Sequence, residues 1–334
     1  MVRSELSVVD PGVPALKPVE ARMAVRDRLT HDAFFYGTDE RFTDVLAPFV
    51  RDGLERDHAV VAAVTPANAG LLRDALGPDA TTVTFIDRDD WYRRPASTVA
   101  GWRRLLADAT GRGHDTVRII GEVGFGPPAR HVTWTRYESA LNAVFADAPA
   151  WIVCPYDTRV LPRTVLADAR RTHPSVTVVR RAGSGAYRPP EQFLDAVPEP
   201  APPVDGPPTV VAALGESVAD ARHLVRHVAV EHGWDGTDRL DELLLVTSEI
   251  AANAVLHGGG RRELRVWTSA MALVCEVSDD GPGPTDPLAG YRPPDESMLG
   301  GRGMWIARQL CEALAVSRDD GWTRVRYMLL HPPV

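Results

Sequence analysis

Cysteine is scarce. Three residues, Cys154, Cys275 and Cys311, stand in a chain of 334, and none belongs to a C-x-x-C pair. That excludes a disulfide scaffold at this length and suits a reducing compartment. No apolar stretch approaches the roughly 20 residues that a membrane span needs. The first thirty residues mix Pro11, Pro14 and Pro18 with charges instead of forming an apolar leader. A cytoplasmic protein without a membrane partner is expected. Net positive charge is missing too, the formal balance being −8. The arginine pairs at Arg93-Arg94, Arg103-Arg104, Arg170-Arg171, Arg180-Arg181 and Arg261-Arg262 are scattered and form no stripe. Direct nucleic-acid contact is therefore excluded as the main activity. There is no internal repeat.

What remains is an ordinary globular make-up, 44% hydrophobic and 25% charged, at a length that suggests two domains. Proline concentrates in YRPPEQFLDAVPEPAPPVDGPP, Tyr187 to Pro208. Such a segment is expected to hold neither a helix nor a central strand and to be extended and stiff. The predicted organisation is an extension over 1–27, a first domain over 28–186, a proline-rich linker over 187–208 and a second domain over 209–334.

In the first domain, apolar runs at Ala33–Tyr36, Ala59–Val64, Thr82–Ile86, Val117–Ile120, Trp151–Cys154 and Val176–Val179 read as buried strands. Helical spacing fills the gaps at Glu40–Glu55, Ala67–Leu76, Ser97–Thr110, Val132–Ala146 and Arg163–Arg171. This alternation predicts an α/β fold with a mostly parallel sheet covered on both faces. In the second domain, Ser217 is placed to cap a helix stopped by Gly233, and Asp238 to cap another ending at Gly258. Strands follow at Glu263–Thr268 and Leu273–Val277, then a helix near Met304–Cys311, then strands at Ala313–Arg318 and Thr323–Leu329. The pattern predicts an α+β two-layer sandwich with its helices on one face.

The second domain carries the chemistry. SEIAANAVLHGGG places Glu249, Asn253 and His257 every fourth residue, along one side of the second helix. Leu240, Leu243, Leu244, Thr247, Ile250, Ala251 and Ala254 form its buried stripe. The next motif, SDDGPGP, sets Asp279, Gly281 and Gly283 at a strand end, where a carboxylate can accept from the exocyclic amine of a base. The glycines there let backbone approach a ligand. The third, LGGRGM, opens a helix with Gly301 and Gly303 as bare amides and Arg302 as a charge, a ready phosphate site.

These three motifs, in this order, resemble the N, G1 and G2 boxes of the GHKL ATP-binding domain. GRGMWIARQLCE and the two-helix entry are most similar to the anti-sigma factor serine kinases of bacterial stress and sporulation control. The resemblance implies that Asn253 holds Mg²⁺ on the ATP phosphates, Asp279 reads adenine, Pro284–Gly300 is the lid, and Thr323 sits near adenine behind Trp322, where glycine is usual. Glu249, one turn from Asn253, is then placed to take the proton of a serine hydroxyl on a partner protein, a contribution of typically about 10²–10⁴ in rate. His257 is read as hydrogen-bonded at the helix end. The implied partners are a sigma factor and an anti-anti-sigma antagonist of STAS type, and a homodimer is implied as well. A histidine autokinase stays open through His223 and His227, although no separate helical hairpin precedes the domain, and so does an ATP-binding regulator without kinase activity.

The first domain lacks G-x-x-x-x-G-K-S/T. Its first turn is Gly37-Thr38-Asp39-Glu40, whose acids would repel phosphate. HDAFFY, FVRDGLERDHAVV, IIGEVG, RYESALNAVF and CPYDTRVLP resemble the MEDS sensory domain, a RecA/KaiC-like α/β module without a nucleotide loop, over about residues 28–180. The resemblance implies a sensor of an unknown small molecule. His31, Glu122, Tyr137, Glu138, Cys154, Tyr156 and Asp157 are its pocket candidates near strand ends, with His31 and Cys154 also possible metal ligands.

Overall fold

A computed structural model describes residues 28–177, 180–292 and 301–331. The expected extension over 1–27, the end of the strand expected at Val178–Val179, the second half of the expected lid with Leu299 and Gly300, and residues 332–334 lie outside the described residues.

The amino-terminal half builds β1 (Thr30–Tyr36), α1 (Asp39–Glu55), β2 (Ala59–Val64), α2 (Pro66–Leu76), β3 (Thr84–Asp87), α3 (Arg88–Trp91), α4 (Pro95–Gly111), β4 (Val117–Gly121), α5 (Pro128–Val144), β5 (Ala150–Asp157), α6 (Arg163–Thr172), β6 (Ser175–Thr177) and β7 (Arg181–Gly183). The sheet order is β3-β2-β4-β5-β1-β6-β7, parallel throughout except for the last pair. Strand residues alternate between two cores, as the two-residue period of a strand requires. Ala33 and Phe35 pack with Trp102 of α4 and Trp134 of α5, whereas Phe34 and Tyr36 pack with Phe42 of α1 and Leu72 of α2. The result is the three-layer parallel sheet expected.

β1 starts three residues earlier than apolarity alone indicates, because its first polar residues are buried with partners. Asp32 accepts from Arg181 (2.7 and 2.9 Å) and from the Trp151 indole (2.9 Å). A charged residue inside a strand is tolerated when its partners come with it.

The proline-rich segment departs from expectation. It holds a helix, α7 (Pro190–Ala196). Pro190 sits in the first turn, where the missing N–H would be unsatisfied in any case. Phe193 and Leu194 are buried against Ala140 of α5 and Leu288, which is what fixes the helix.

The carboxy-terminal half contains β8 (Val210–Ala213), α8 (Val218–Glu231), α9 (Asp238–His257), β9 (Arg262–Thr268), β10 (Ala272–Asp279), α10 (Arg302–Leu310), β11 (Ala313–Asp319) and β12 (Trp322–Leu330). Its antiparallel sheet runs β11-β12-β10-β9-β8 under the three helices, a GHKL-type sandwich. The cap of α9 is Thr237, whose hydroxyl accepts from Leu240 N at 3.2 Å. Asp238, expected as the cap, lies instead in the first turn, where an acid still favours the helix dipole. Leu243, Leu244 and Ile250 are almost fully buried on the sheet, each contributing about 1.5–3 kcal/mol. Tyr327 donates to Thr247 at 2.8 Å, pinning the middle of α9 to β12. The backbone that carries Glu249 and Asn253 is thereby fixed on the sheet.

The two halves meet at α10. Glu199, from the proline-rich segment, accepts from Arg308 (2.7 Å), Tyr291 Oη (3.1 Å) and Val316 N (3.0 Å), with Arg136 of α5 at 3.4 Å. Arg94, the residue before α4, donates to Leu310 O at 3.1 Å. Burial alone would push the Glu199 carboxyl up; Arg308 and Arg136 outweigh it and hold the group below the usual carboxylate range.

Candidate functional site

The antiparallel register of β10 and β12 sets Asp279 opposite Thr323. Asp279 is 7% exposed, and its Oδ1 accepts from Gly281 N at 2.8 Å. Thr323 Oγ1 donates to Gly281 O at 2.9 Å. The strand end is thus closed into a small turn, and Asp279 Oδ2 keeps no hydrogen-bond partner among the described residues. Burial is the main reason that the Asp279 carboxyl is raised above its ordinary value, with Asp280 adding to it against the Gly281 N–H and Arg262. Gly283 has φ +69°, and a β-carbon there would meet Thr323 Oγ1 at 2.8 Å. The glycines of this motif let the turn pack closely on Thr323 and on the end of α9.

The end of α9 packs onto the same turn: a β-carbon on Gly258 would lie 2.8 Å from Asp279 Cβ. One and two turns back, Asn253 and Glu249 are half-buried, and neither side chain has a hydrogen-bond partner among the described residues. They face α10. A β-carbon on Gly303 would meet Glu249 Oε2 at 2.8 Å and Asn253 Nδ2 at 3.2 Å. Gly301, at φ +78°, caps α10 with no side-chain hydrogen bond, so the first N–H groups of that helix have no side-chain partner among the described residues. A carboxylate, a carboxamide and helix-start amides therefore converge, with the buried Asp279 carboxyl at the neighbouring strand end. This geometry suits a nucleotide: open N–H groups for phosphate, an amide oxygen for its counter-cation, a carboxylate for a base amine.

Arg302 is exposed at the helix start. His257 is exposed in the last turn of α9 and makes no side-chain hydrogen bond among the described residues, so the hydrogen bond expected of it is not found. The described part of the expected lid, 284–292, is anchored: Leu288 is buried, and Ala289 O accepts from Arg308 Nε at 3.0 Å.

In the amino-terminal half the sensory candidates separate into three places. Glu122, past the end of β4, accepts from Thr65 N (3.0 Å), Asn68 Nδ2 (2.8 Å) and Arg88 (2.7 Å), tying together the ends of two strands. A cleft of about 430 Å³ opens beside it, lined by Arg88, Tyr92 and Arg130 among others. Asp157, at the end of β5, pairs with Arg159. Burial raises the Asp157 carboxyl, and Arg159 more than reverses this, leaving it below the ordinary value. The rest lie deep inside. Tyr137 Oη accepts from Trp102 at 2.9 Å, and Tyr156 Oη is buried without a hydrogen-bond partner among the described residues. His31 and Cys154 are brought together at 3.3 Å, and Glu138 lies 3.3 Å from the same His31 Nε2. A fourth member, His173, was not singled out from the sequence. It ends α6 in THP, and nothing local distinguishes it from a surface histidine.

Residues 30–174 match the family model described as the MEthanogen/methylotroph, DcmR Sensory domain, and residues 211–328 match that of the histidine kinase-like ATPase domain. A comparison with curated proteins finds no match. The chain thus joins a MEDS-type sensory domain to a histidine kinase-like, ATP-binding domain. No helix among the described residues is long and apolar enough to cross a membrane.

Proposed function

We propose that this protein is a sensor-controlled protein serine kinase of the anti-sigma factor type. The observation that carries the reading is the approach of Glu249 and Asn253 to the backbone of Gly303, with Asp279 across the gap. The absent β-carbon lets the start of α10 approach both side chains, and the donor set, an amide, a carboxylate and helix-start N–H groups, fits Mg-nucleotide. Asn253 would hold Mg²⁺ against the phosphates, the α10 amides and Arg302 would hold phosphate oxygens, and Asp279 and Thr323 would receive adenine. Bound there, Mg-ATP supplies an activated phosphoryl group. Glu249 accepts the proton of an attacking serine hydroxyl, and the burial of α9 fixes the backbone that carries it.

A sigma factor and its STAS-type antagonist fit this chemistry as the partners to be held and phosphorylated. Control from the sensory half has a physical route, because α5 and α10 share Glu199. A ligand that favours one placement of α5 would bias α10, whose first turn lines the nucleotide site.

The test is transfer from γ-labelled ATP by the full chain in the presence of a STAS-type antagonist. Acid-stable label on a serine of the antagonist, lost in Glu249→Ala while nucleotide binding persists, supports the reading. Acid-labile label on the protein's own histidine would establish an autokinase instead. Nucleotide binding with no label would leave only a regulator.

A further inference from the structure

The buried group His31, Glu138, Cys154 and His173 has no task in the nucleotide chemistry. Four separate elements supply it: β1, α5, β5 and the end of α6. His31 and Cys154 share one sheet face, since His31 pairs with Ile152, two residues before Cys154 in the parallel register. All four are at most 2% exposed, and one ligand-type atom from each lies within 4.8 Å of the others.

The hydrogen bonds around the group decide where the protons are. His173 Nδ1 lies 2.8 Å from Ala169 O, a carbonyl that can only accept, so Nδ1 carries the hydrogen. His31 Nδ1 lies 3.1 Å from Asn142 Oδ1. That amide cannot be turned round, because its nitrogen already donates to Thr172 O at 2.7 Å. His31 Nδ1 therefore carries a hydrogen too. In the neutral rings, both Nε2 atoms then present lone pairs inward. They meet another acceptor: Glu138 Oε2 is 3.3 Å from His31 Nε2 and 3.0 Å from His173 Nε2. Neither contact has good hydrogen-bond alignment, and both Glu138 oxygens and His173 Nε2 are buried without an aligned hydrogen-bond partner among the described residues. The Cys154 thiol brings a single hydrogen, which reaches His31 Nε2 at 3.3 Å and serves one acceptor. The acceptors left over, converging in a dry interior, repel unless a cation sits among them. Protonating both rings would place two like charges at a centroid separation of 4.0 Å beside a single carboxylate.

We propose that His31, Glu138, Cys154 and His173 bind one first-row transition-metal dication, with zinc fitting the donor set best. Two imidazoles, a carboxylate and a thiolate make a closed four-coordinate set, and tetrahedral bonds of about 2.0–2.3 Å give ligand separations of roughly 3.3–3.7 Å. The 3.0 Å contact lies below that range and the 3.3 Å contacts at its lower edge, and the other separations, all within 4.8 Å, would adjust around the ion. Charge also balances: a dication, Glu138 carboxylate and Cys154 thiolate sum to zero, the state a buried site favours. Binding releases the thiol proton to solvent. Asn142 and Ala169 hold the outer ring nitrogens, as second-layer groups do at metal sites. This inference does not depend on the nucleotide site.

The test uses the full chain, stripped by chelator and titrated with Co²⁺ and Zn²⁺. The expected result is one ion per chain, a thiolate-to-cobalt charge-transfer band, the intense visible bands of tetrahedral cobalt, and a rise in Tm with Zn²⁺. Cys154→Ser should abolish the charge-transfer band, and His173→Gln should weaken Zn²⁺ binding at least tenfold. Wild-type protein that is folded yet takes up no ion stoichiometrically, or whose cobalt spectrum is unchanged in Cys154→Ser, overturns the proposal without reference to whether any variant folds.

Discussion

Arg136 of α5 and Arg308 of α10 share the carboxylate of Glu199, so one buried anion from the proline-rich segment joins the sensory half to the helix that opens the nucleotide site. Removing it strands two arginines with little exposure. Breaking a buried pair from one side typically costs about 3–5 kcal/mol. Glu199→Ala should therefore unfold at clearly lower urea than wild type.

The same pair has a pH signature. The folded Glu199 pKa lies below its ordinary value of 4.5, so its stabilisation is present above that pH and is lost as the pH falls through the folded value. The stability difference between wild type and Glu199→Gln, followed by urea titration from neutral to acidic pH, should shrink on acidification. A gap that widens would mean that the carboxylate is not the stabilising form.

Gly303→Ala sets two effects against each other. Alanine favours a helix by up to about 1 kcal/mol over glycine. Its β-carbon, however, would lie 2.8 Å from Glu249 Oε2, the far end of a side chain that can swing aside. The fold should survive, while adenine-nucleotide affinity drops at least tenfold by calorimetry.

Asp279→Asn separates stability from binding. The Asp279 carboxyl is raised by burial, so its stabilising form is the protonated one; that contribution is complete below the unfolded pKa and is lost as the pH rises through the folded one. At neutral pH the ionised form is a burden, and asparagine can still accept from Gly281 N. The variant should melt higher than wild type at pH 7 and bind adenine nucleotides more weakly.

Much of this molecule is legible from residue pattern. Continuous apolar strands alternating with helical spacing specify the first sheet, and the stripe from Leu240 to Ala254 specifies α9. What pattern could not show depends on distant partners. His31 and Asp32 extend β1 although they are polar, because Asn142 and Arg181 arrive from elsewhere in the chain to satisfy them. α7 forms among prolines because Phe193 and Leu194 find a shared surface, and helix propensity alone argues against it. At the proposed nucleotide site, three short motifs in order and their resemblance to the GHKL boxes pick out Glu249, Asn253, Asp279 and the glycines. Their convergence is a tertiary fact carried by Gly303 and Gly258, whose missing β-carbons allow the contacts. His173 and Glu199 gave no local signal, since a buried histidine and a buried glutamate read like surface residues until the fold closes over them.

Glu249→Gln keeps the side chain's size and removes its capacity to accept a proton. Nucleotide affinity should stay within about threefold of wild type, while transfer to a serine acceptor should fall by about 10²–10⁴. Equal losses in both would make Glu249 a binding group.

The decisive measurement is calorimetric titration of the full chain with ATP, with Mg²⁺ and again with chelator, in wild type and Asn253→Ala. One nucleotide per chain, bound tightly only with Mg²⁺ and lost in Asn253→Ala, is the predicted result. No binding, or binding indifferent both to Mg²⁺ and to Asn253, would contradict the account.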